Sequence, residues 1–280
     1  MKRSALIVSL TVLSASLFFS SCEKAKQNRS TDTSEDYSLS QAMSDDLYKV
    51  IDQASSEEAG VRSSGSLSCA TITLSPALPD STFPKTLTID FGSSNCTGND
   101  GIRRRGIVQV EYTGRYRDEG TQITATTTNY YVNDHQVIAN KKVKNAGRNS
   151  SGNLHFAIEV DGKVITSDGN EIVWHSARSR EWIAGENTTW WSHGWAGVTD
   201  DVYSINGQAT GTNRNGKNYS AIITKALIYQ VGCRWIKEGT LEIQPDDLTL
   251  RKVDFGSRSE GCNNQATVEI GNRSYDIEMR

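Results

Sequence analysis

The stretch Val108-Gln109-Val110-Glu111-Tyr112-Thr113-Gly114-Arg115-Tyr116-Arg117 sets Val108, Val110, Tyr112 and Tyr116 on one side of an extended chain. Gln109, Glu111, Thr113, Arg115 and Arg117 fall on the other. Successive side chains of a strand point to opposite faces, so the pattern specifies one buried and one solvated face. Leu154, Phe156, Ile158 and Val160 repeat it opposite His155 and Glu159, as do Tyr275, Ile277 and Met279 opposite Ser274, Asp276 and Glu278. Antiparallel sheets permit this one-sided wetting. Asp161-Gly162, Asp168-Gly169, Asn206-Gly207, Asn215-Gly216 and Gly271-Asn272 supply the positive φ of tight turns and predict hairpins. No proline interrupts Lys85 to Gln244, which suits long continuous pairing. The expected fold is all-β: a large antiparallel meander sheet of roughly 12 to 15 strands, flat or curved, with one short N-terminal amphipathic helix.

The helix is read between Leu39 and Ala59. Ala42, Met43, Leu47, Val50, Ile51 and Ala54 recur there at helical spacing, with Ser40 or Ser44 to cap the start and Gly60 past the end. This predicts a helix over 40–60, preceded by a flexible tether over 22–39 rich in Ser, Thr, Asp, Lys and Gln. A single β domain follows over 65–280.

The two ends of that domain look alike. Leu87-Thr88-Ile89-Asp90-Phe91-Gly92-Ser93 precedes Cys96 and the strand from Ile107; Leu250-Arg251-Lys252-Val253-Asp254-Phe255-Gly256-Ser257 precedes Cys262 and the strand from Ala266. Each unit, 69–112 and 233–279, opens on a cysteine and contains a Pro-Asp turn, Pro79-Asp80 or Pro245-Asp246. Of three possible pairings, the local disulfides Cys69 to Cys96 and Cys233 to Cys262 are the most economical. A loop of this size contributes about 3 kcal/mol in the chain-entropy account. With its duplicated Asp-Phe-Gly and cysteine unit, the chain resembles an uncharacterised Bacteroidota-type lipoprotein family over roughly 65–280, most specifically from Val253 to Ile277. The resemblance implies an all-β lipoprotein associated with the outer membrane and brings no activity or functional residue with it. The Asp-Phe-Gly tripeptides lack the companions of a kinase site and read as turns after strands.

The N-terminus carries an address. Met1-Lys2-Arg3 precedes an uncharged run from Ala5 to Phe19, the n- and h-regions of a signal peptide over 1–21. At about 15 residues the run is short for a membrane span. It closes on Phe19-Ser20-Ser21-Cys22, which resembles the lipobox of bacterial lipoproteins with Phe19 in place of the usual Leu. Lipidating Cys22 leaves four of five cysteines for disulfides, and several acyl chains hold a protein on a bilayer without a spanning helix. Glu23 in place of aspartate after the cysteine favours the outer membrane, with the side it faces left open. Loss of Lys2 and Arg3 with the leader leaves 28 basic against 33 acidic residues, a formal charge of about −5. Such a chain is a poor polyanion binder, so nucleic acid is not an expected partner. The basic runs Arg103-Arg104-Arg105 and Lys141, Lys142, Lys144 are read as solvated faces or loops.

Trp174, Trp182, Trp190, Trp191 and Trp195 crowd into 22 residues with His175 and His193. Tryptophan fills β cores well, so core or interface packing is the first reading of the group, and Trp174 and Trp182 are the poorer ligand candidates. Trp190, Trp191 and Trp195, with His193, lie on a loop with Gly194 and Gly197 and are the candidate platform for a glycan or protein ligand. Glu181, Glu186, Asp200 and Asp201 are the carboxylates nearest to a glycosidase pair, whose spacing sequence does not set. His135, His155, His175 and His193 show no metal-ligand spacing, Asn95, Asn99 and Asp100 read as a polar turn, and no nucleotide or nucleophile motif occurs. No cofactor or metal is implied. The expected task is a non-enzymatic binding or structural module anchored to the membrane; the alternatives are a carbohydrate-active enzyme and a lipid carrier whose sheet encloses an apolar groove.

Overall fold

The computed structural model describes residues 28–58, 67–188, 199–233 and 235–279. Among them one α-helix, α1 (Asp32–Glu58), precedes fourteen strands. These are β1 (Thr71–Ser75), β2 (Lys85–Asp90), β3 (Cys96–Thr97), β4 (Arg103–Tyr112), β5 (Gln122–Val132), β6 (His135–Arg148) and β7 (Leu154–Ile165), then β8 (Glu171–Ala184), β9 (Val202–Thr212), β10 (Asn218–Gln230), β11 (Glu238–Pro245), β12 (Arg251–Asp254), β13 (Gln265–Ile270) and β14 (Arg273–Glu278). All pairs are antiparallel and follow chain order, with β3 as a side branch on β4. The sheet is an open meander with β1 and β14 as its edges.

Alternation sets one face of this sheet inward. Val108 and Val110 of β4 are buried, as are Leu154, Phe156, Ile158 and Val160 of β7, while Glu111 and Glu159 are exposed. Register shifts interrupt the pairing of β4 with β5, β5 with β6, β6 with β7, β8 with β9, β9 with β10 and β10 with β11. Bulges sharpen local bend and twist, and shifts in six pairings curl a wide sheet. The hollow of the curl is occupied by α1, which buries Tyr37, Leu39, Met43, Leu47, Val50, Ile51 and Ala54. Leu39 to Ala54 pack with the apolar side chains of β2 to β8, and Tyr37 packs with those of β9 to β14. One helix therefore joins the two halves of the core.

The helix begins earlier than 40, so part of the expected tether is ordered. Thr31 accepts the first helical hydrogen bonds at its carbonyl, from Ser34 and Glu35, and its hydroxyl donates to Glu35 at 2.7 Å. Ser40, read as a cap, instead lies buried inside the helix and donates back to the Asp36 carbonyl. The polar composition of 32–38 concealed the helix because the partners of Asp32 and Asp36 are distant in sequence, Asn215 and Arg214 of the β9–β10 turn.

The end units are structural repeats. In each, a strand, a following strand and an Asp-Phe-Gly turn are built alike: the Gly92 N–H donates to Asp90 Oδ1 at 2.8 Å, and the Gly256 N–H to Asp254 Oδ1 at 2.9 Å. Ile89 lies between Ile72 and Val108, and Val253 between Leu241 and Val268. Both expected disulfides are present, with Cα–Cα separations of 6.0 Å for Cys69–Cys96 and 5.6 Å for Cys233–Cys262. The strand directions are opposed, so the two staples sit on opposite rims near opposite edges of the sheet.

Three expected turns, Asp168-Gly169, Asn215-Gly216 and Gly271-Asn272, connect strands, whereas Asp161-Gly162 and Asn206-Gly207 lie within β7 and β9. These two glycines serve close approach. Gly162 pairs with Trp174, which pairs in turn with Gly211, so the indole has a glycine on either side. A Cβ on Gly162 would stand 2.2 Å from the Trp174 ring. Gly207, at φ +133°, would press a Cβ within 2.3 Å of the Ala177 carbonyl. Replacing Gly162 by Val is expected to cost about 1–3 kcal/mol by overpacking, read as a lower denaturant midpoint with altered tryptophan fluorescence. An unchanged midpoint and spectrum would contradict the Gly162–Trp174–Gly211 row.

Candidate functional site: the charged seam under the helix

The inner face of a curled sheet should be apolar, yet here it carries Arg104, Lys141, Arg178, Arg180 and Arg251. All five keep the strand parity of apolar neighbours: Arg104 is in phase with Val108, Lys141 with Val137 and Val143, Arg178 and Arg180 with Trp174 and Trp182, and Arg251 with Val253. The helix opposite them is acidic: among its described side chains Asp32, Glu35, Asp36, Asp45 and Asp46 stand against Lys49 alone. A carboxylate or guanidinium removed from water is costly unless paired and hydrogen-bonded, so the contacts between the two surfaces determine whether the seam holds.

Those contacts step across the sheet in the order of the helix. Asn28 accepts from the Thr249 N–H at 2.8 Å, beside β12. Asp32 accepts from Asn215 at 2.9 Å, Thr33 from Asn213 at 2.8 Å, and Asp36 pairs with Arg214, all on the β9–β10 turn. Tyr37 and Gln41 accept from Arg178 on β8, and Ser44 from Lys141 on β6 at 3.1 Å. Asp46 receives Arg104 of β4 through two hydrogen bonds and the Tyr130 hydroxyl of β5 at 3.1 Å. Lys49 closes the series on Asp100 at 2.8 Å. The helix is thus a transverse strut, crossing the strands from β12 to the β3–β4 loop.

Arg104 is wholly buried and has Asp46 on one side and Asp100 on the other. Burial opposes its charge, but Asp46 and then Asp100 outweigh it and raise the guanidinium above its usual range. Burial would raise the Asp100 carboxyl, yet its bonds to Arg104 and Lys49 hold it well below the ordinary carboxylate range. Asn99 and Asp100 form the expected polar turn, closed by the Gly101 N–H on the Gly98 carbonyl, and from it the Asp100 carboxylate reaches Arg104 and Lys49. The Arg103–Arg105 run is only in part a solvated face: Arg103 is exposed, Arg104 points inward, and Arg105 stacks 3.7 Å over Tyr131 while pairing with Asp134. Lys141 likewise departs from a solvated run, although Lys142 and Lys144 are exposed.

The middle of the seam has more positive than negative charge. Arg178, Arg180 and Lys141 face Asp45, whose two oxygens accept from Gln41 at 2.8 and 2.9 Å. Burial raises the Asp45 carboxyl, and burial together with Arg180 and Arg178 pushes the Lys141 ammonium down to about 8. Arg180 is enclosed by rings, with Tyr48 at 4.2 Å, Tyr203 at 4.8 Å and Phe156 at 5.3 Å, and it donates to the Tyr116 hydroxyl. Arg178 Nε and Arg180 Nε are buried without a hydrogen-bond partner among the described residues. Aromatic faces stand in for part of that missing solvation.

Of the residues singled out by sequence, Trp174 and Trp182 are core, Trp182 donating to Asp201 at 3.1 Å. Trp190, Trp191, Trp195 and His193 lie outside the described residues, as does Cys22. The chain leaves the described part at Thr188, whose hydroxyl donates to Asp200 at 2.7 Å, and re-enters at Thr199, whose carbonyl accepts from Gln230. Glu181 accepts from Asn153 and Asn149, and Glu186 pairs with Arg148; both carboxyls are thereby held below the usual range. A glycosidase acid needs the opposite shift. His135, His155 and His175 each make separate local contacts, and no group of three metal-ligating side chains converges among the described residues.

The fold and seam define an open antiparallel meander held by an internal acidic helix. Against known proteins, the chain matches no protein-family model, and neither a curated protein nor a solved structure is significantly similar to it.

Lys141 gives the seam a pH signature. An amine whose folded pKa, about 8, lies below its unfolded value of 10.5 is charged at a cost at neutral pH. Stability from this group should therefore rise between pH 8 and 10.5, by on the order of 2 kcal/mol at pH 9.5 relative to pH 7.5. Lys141→Met should abolish that rise in denaturant titrations at the two pH values. Identical pH profiles for the variant and the parent would contradict this.

Proposed function

We propose that this chain is an exported lipoprotein, anchored through Cys22 to the bacterial outer membrane, whose sheet serves as a non-enzymatic binding or structural module. The observation that carries the reading is that α1 fills the hollow of the sheet, so that partners meet the protein on its outer face and rims. An acyl chain carried inside would have to displace Leu39, Met43, Leu47 and Val50, which argues against a lipid carrier. The hydrogen-bonded, lowered carboxyls of Glu181 and Glu186 argue against glycoside hydrolysis. Two disulfides in a chain of this size are the chemistry of an oxidising compartment and support export. The resemblance to Bacteroidota-type lipoproteins points the same way. The candidate ligand platform remains the segment with Trp190, Trp191, Trp195 and His193, with a glycan or protein as partner.

Expression in a bacterial host with a fatty-acid analogue tests the anchor. The parent chain is expected to become labelled, to accumulate unprocessed under globomycin and to fractionate with membranes, whereas Cys22→Ser should be unlabelled. Unaltered processing under globomycin with no labelled band would refute the anchor.

A further inference from the structure

The strut fixes where the chain enters the domain, and on the proposed lipid anchor this gives the domain an orientation. Asn28 is bonded to Thr249, Asp32 to Asn215 and Asp36 to Arg214, so the entry point is tied to the β9–β10 and β11–β12 turns. Pairing places both turns on one rim: Thr212 and Asn218 stand opposite each other there, Tyr219 opposite Pro245, and Ile243 opposite Arg251. The other rim bears the β1–β2 loop, the β6–β7 turn and the ends of β8 and β9 around Thr188 and Thr199.

Five residues, Glu23 to Gln27, separate Cys22 from Asn28. At about 3.3–3.6 Å per residue, the six steps from Cys22 reach at most about 20 Å. β8, with 14 residues, is about 45 Å long at strand rise. The tether is thus less than half as long as the body it carries.

We infer that the domain meets the headgroup surface of the bilayer with its β9–β10 and β11–β12 turns, and holds the opposite rim away from the membrane. That distal rim displays Leu78, 51% exposed, and Phe83, 36% exposed, in a loop braced by the buried Lys85 ammonium, which donates to the Pro76 and Asp80 carbonyls. The chain also leaves and re-enters the described part there, on either side of residues 189–198. The near rim is then the membrane contact, and the distal rim is the face open to partners. This rests on the lipid-anchor reading of Cys22.

The test uses full-length lipidated protein in phosphatidylethanolamine–phosphatidylglycerol vesicles carrying a headgroup-linked acceptor dye. A donor is placed at Lys217→Cys on the near rim or at Ser151→Cys on the distal rim, with lipidation of each preparation verified by mass. Transfer is expected to be about twofold or more stronger from position 217 than from 151. Equal or reversed transfer in lipidated, vesicle-bound protein overturns the orientation and leaves the anchor standing. A full-length chain that emerges from the bacterial host with no lipid on Cys22 overturns the anchor and the orientation with it.

Discussion

The ion pair between Asp46 of α1 and the fully buried Arg104 of β4 is the point on which the helix and the sheet depend together. Apolar packing alone would let a helix slide along a curled surface, because hydrophobic contact has no direction. A guanidinium with no access to water is less tolerant: shifting α1 by one turn would take Asp46 away from Arg104, and an uncompensated buried charge costs about 3–5 kcal/mol. Asp36 on Arg214 and Lys49 on Asp100 repeat the constraint toward either end. Charge therefore sets the position of the strut, and Leu39, Met43, Leu47 and Val50 supply the area that holds it there.

This arrangement also explains how a fourteen-stranded sheet remains open. A closed barrel satisfies its edges by pairing them, whereas here each edge unit has its own disulfide and its own Asp-x-Gly turn. The edge strands β1 and β14 are short, with five and six residues, and β14 carries Arg273, Asp276 and Glu278. Short, charged edges resist pairing with other chains. The two apolar clusters that result are joined by α1, so stability in one half of the sheet is transmitted to the other through the helix.

Much of the fold was legible because strand parity is a strong local signal. The one-sided strands, the meander order, the duplicated ends and both disulfides follow from alternation and spacing. The start of α1 was hidden because Asp32, Glu35 and Asp36 look like tether until the partners of Asp32 and Asp36, Asn215 and Arg214, are known. Gly162 and Gly207 imitate turns because a glycine that makes room for a cross-strand ring or backbone has the same composition as one that bends the chain. The seam left a trace that local reading misassigned: Arg104, Lys141, Arg180 and Arg251 all occupy the apolar parity of their strands. A cation in that phase, set against the carboxylates of an acidic helix such as Asp36, Asp45 and Asp46, is the pattern of a buried complementary surface. A run of basic letters suggests solvent only when parity is ignored.

Hydrogen exchange of the folded protein tests the strut most directly, because it reads whether α1 opens with the sheet or apart from it. The amides of residues 40–52 should exchange as slowly as those of β4, β6 and β8 and be released in the same unfolding event. Fast exchange of α1 while those strands stay protected would show that the sheet stands without it, and would contradict a fold held together by its helix.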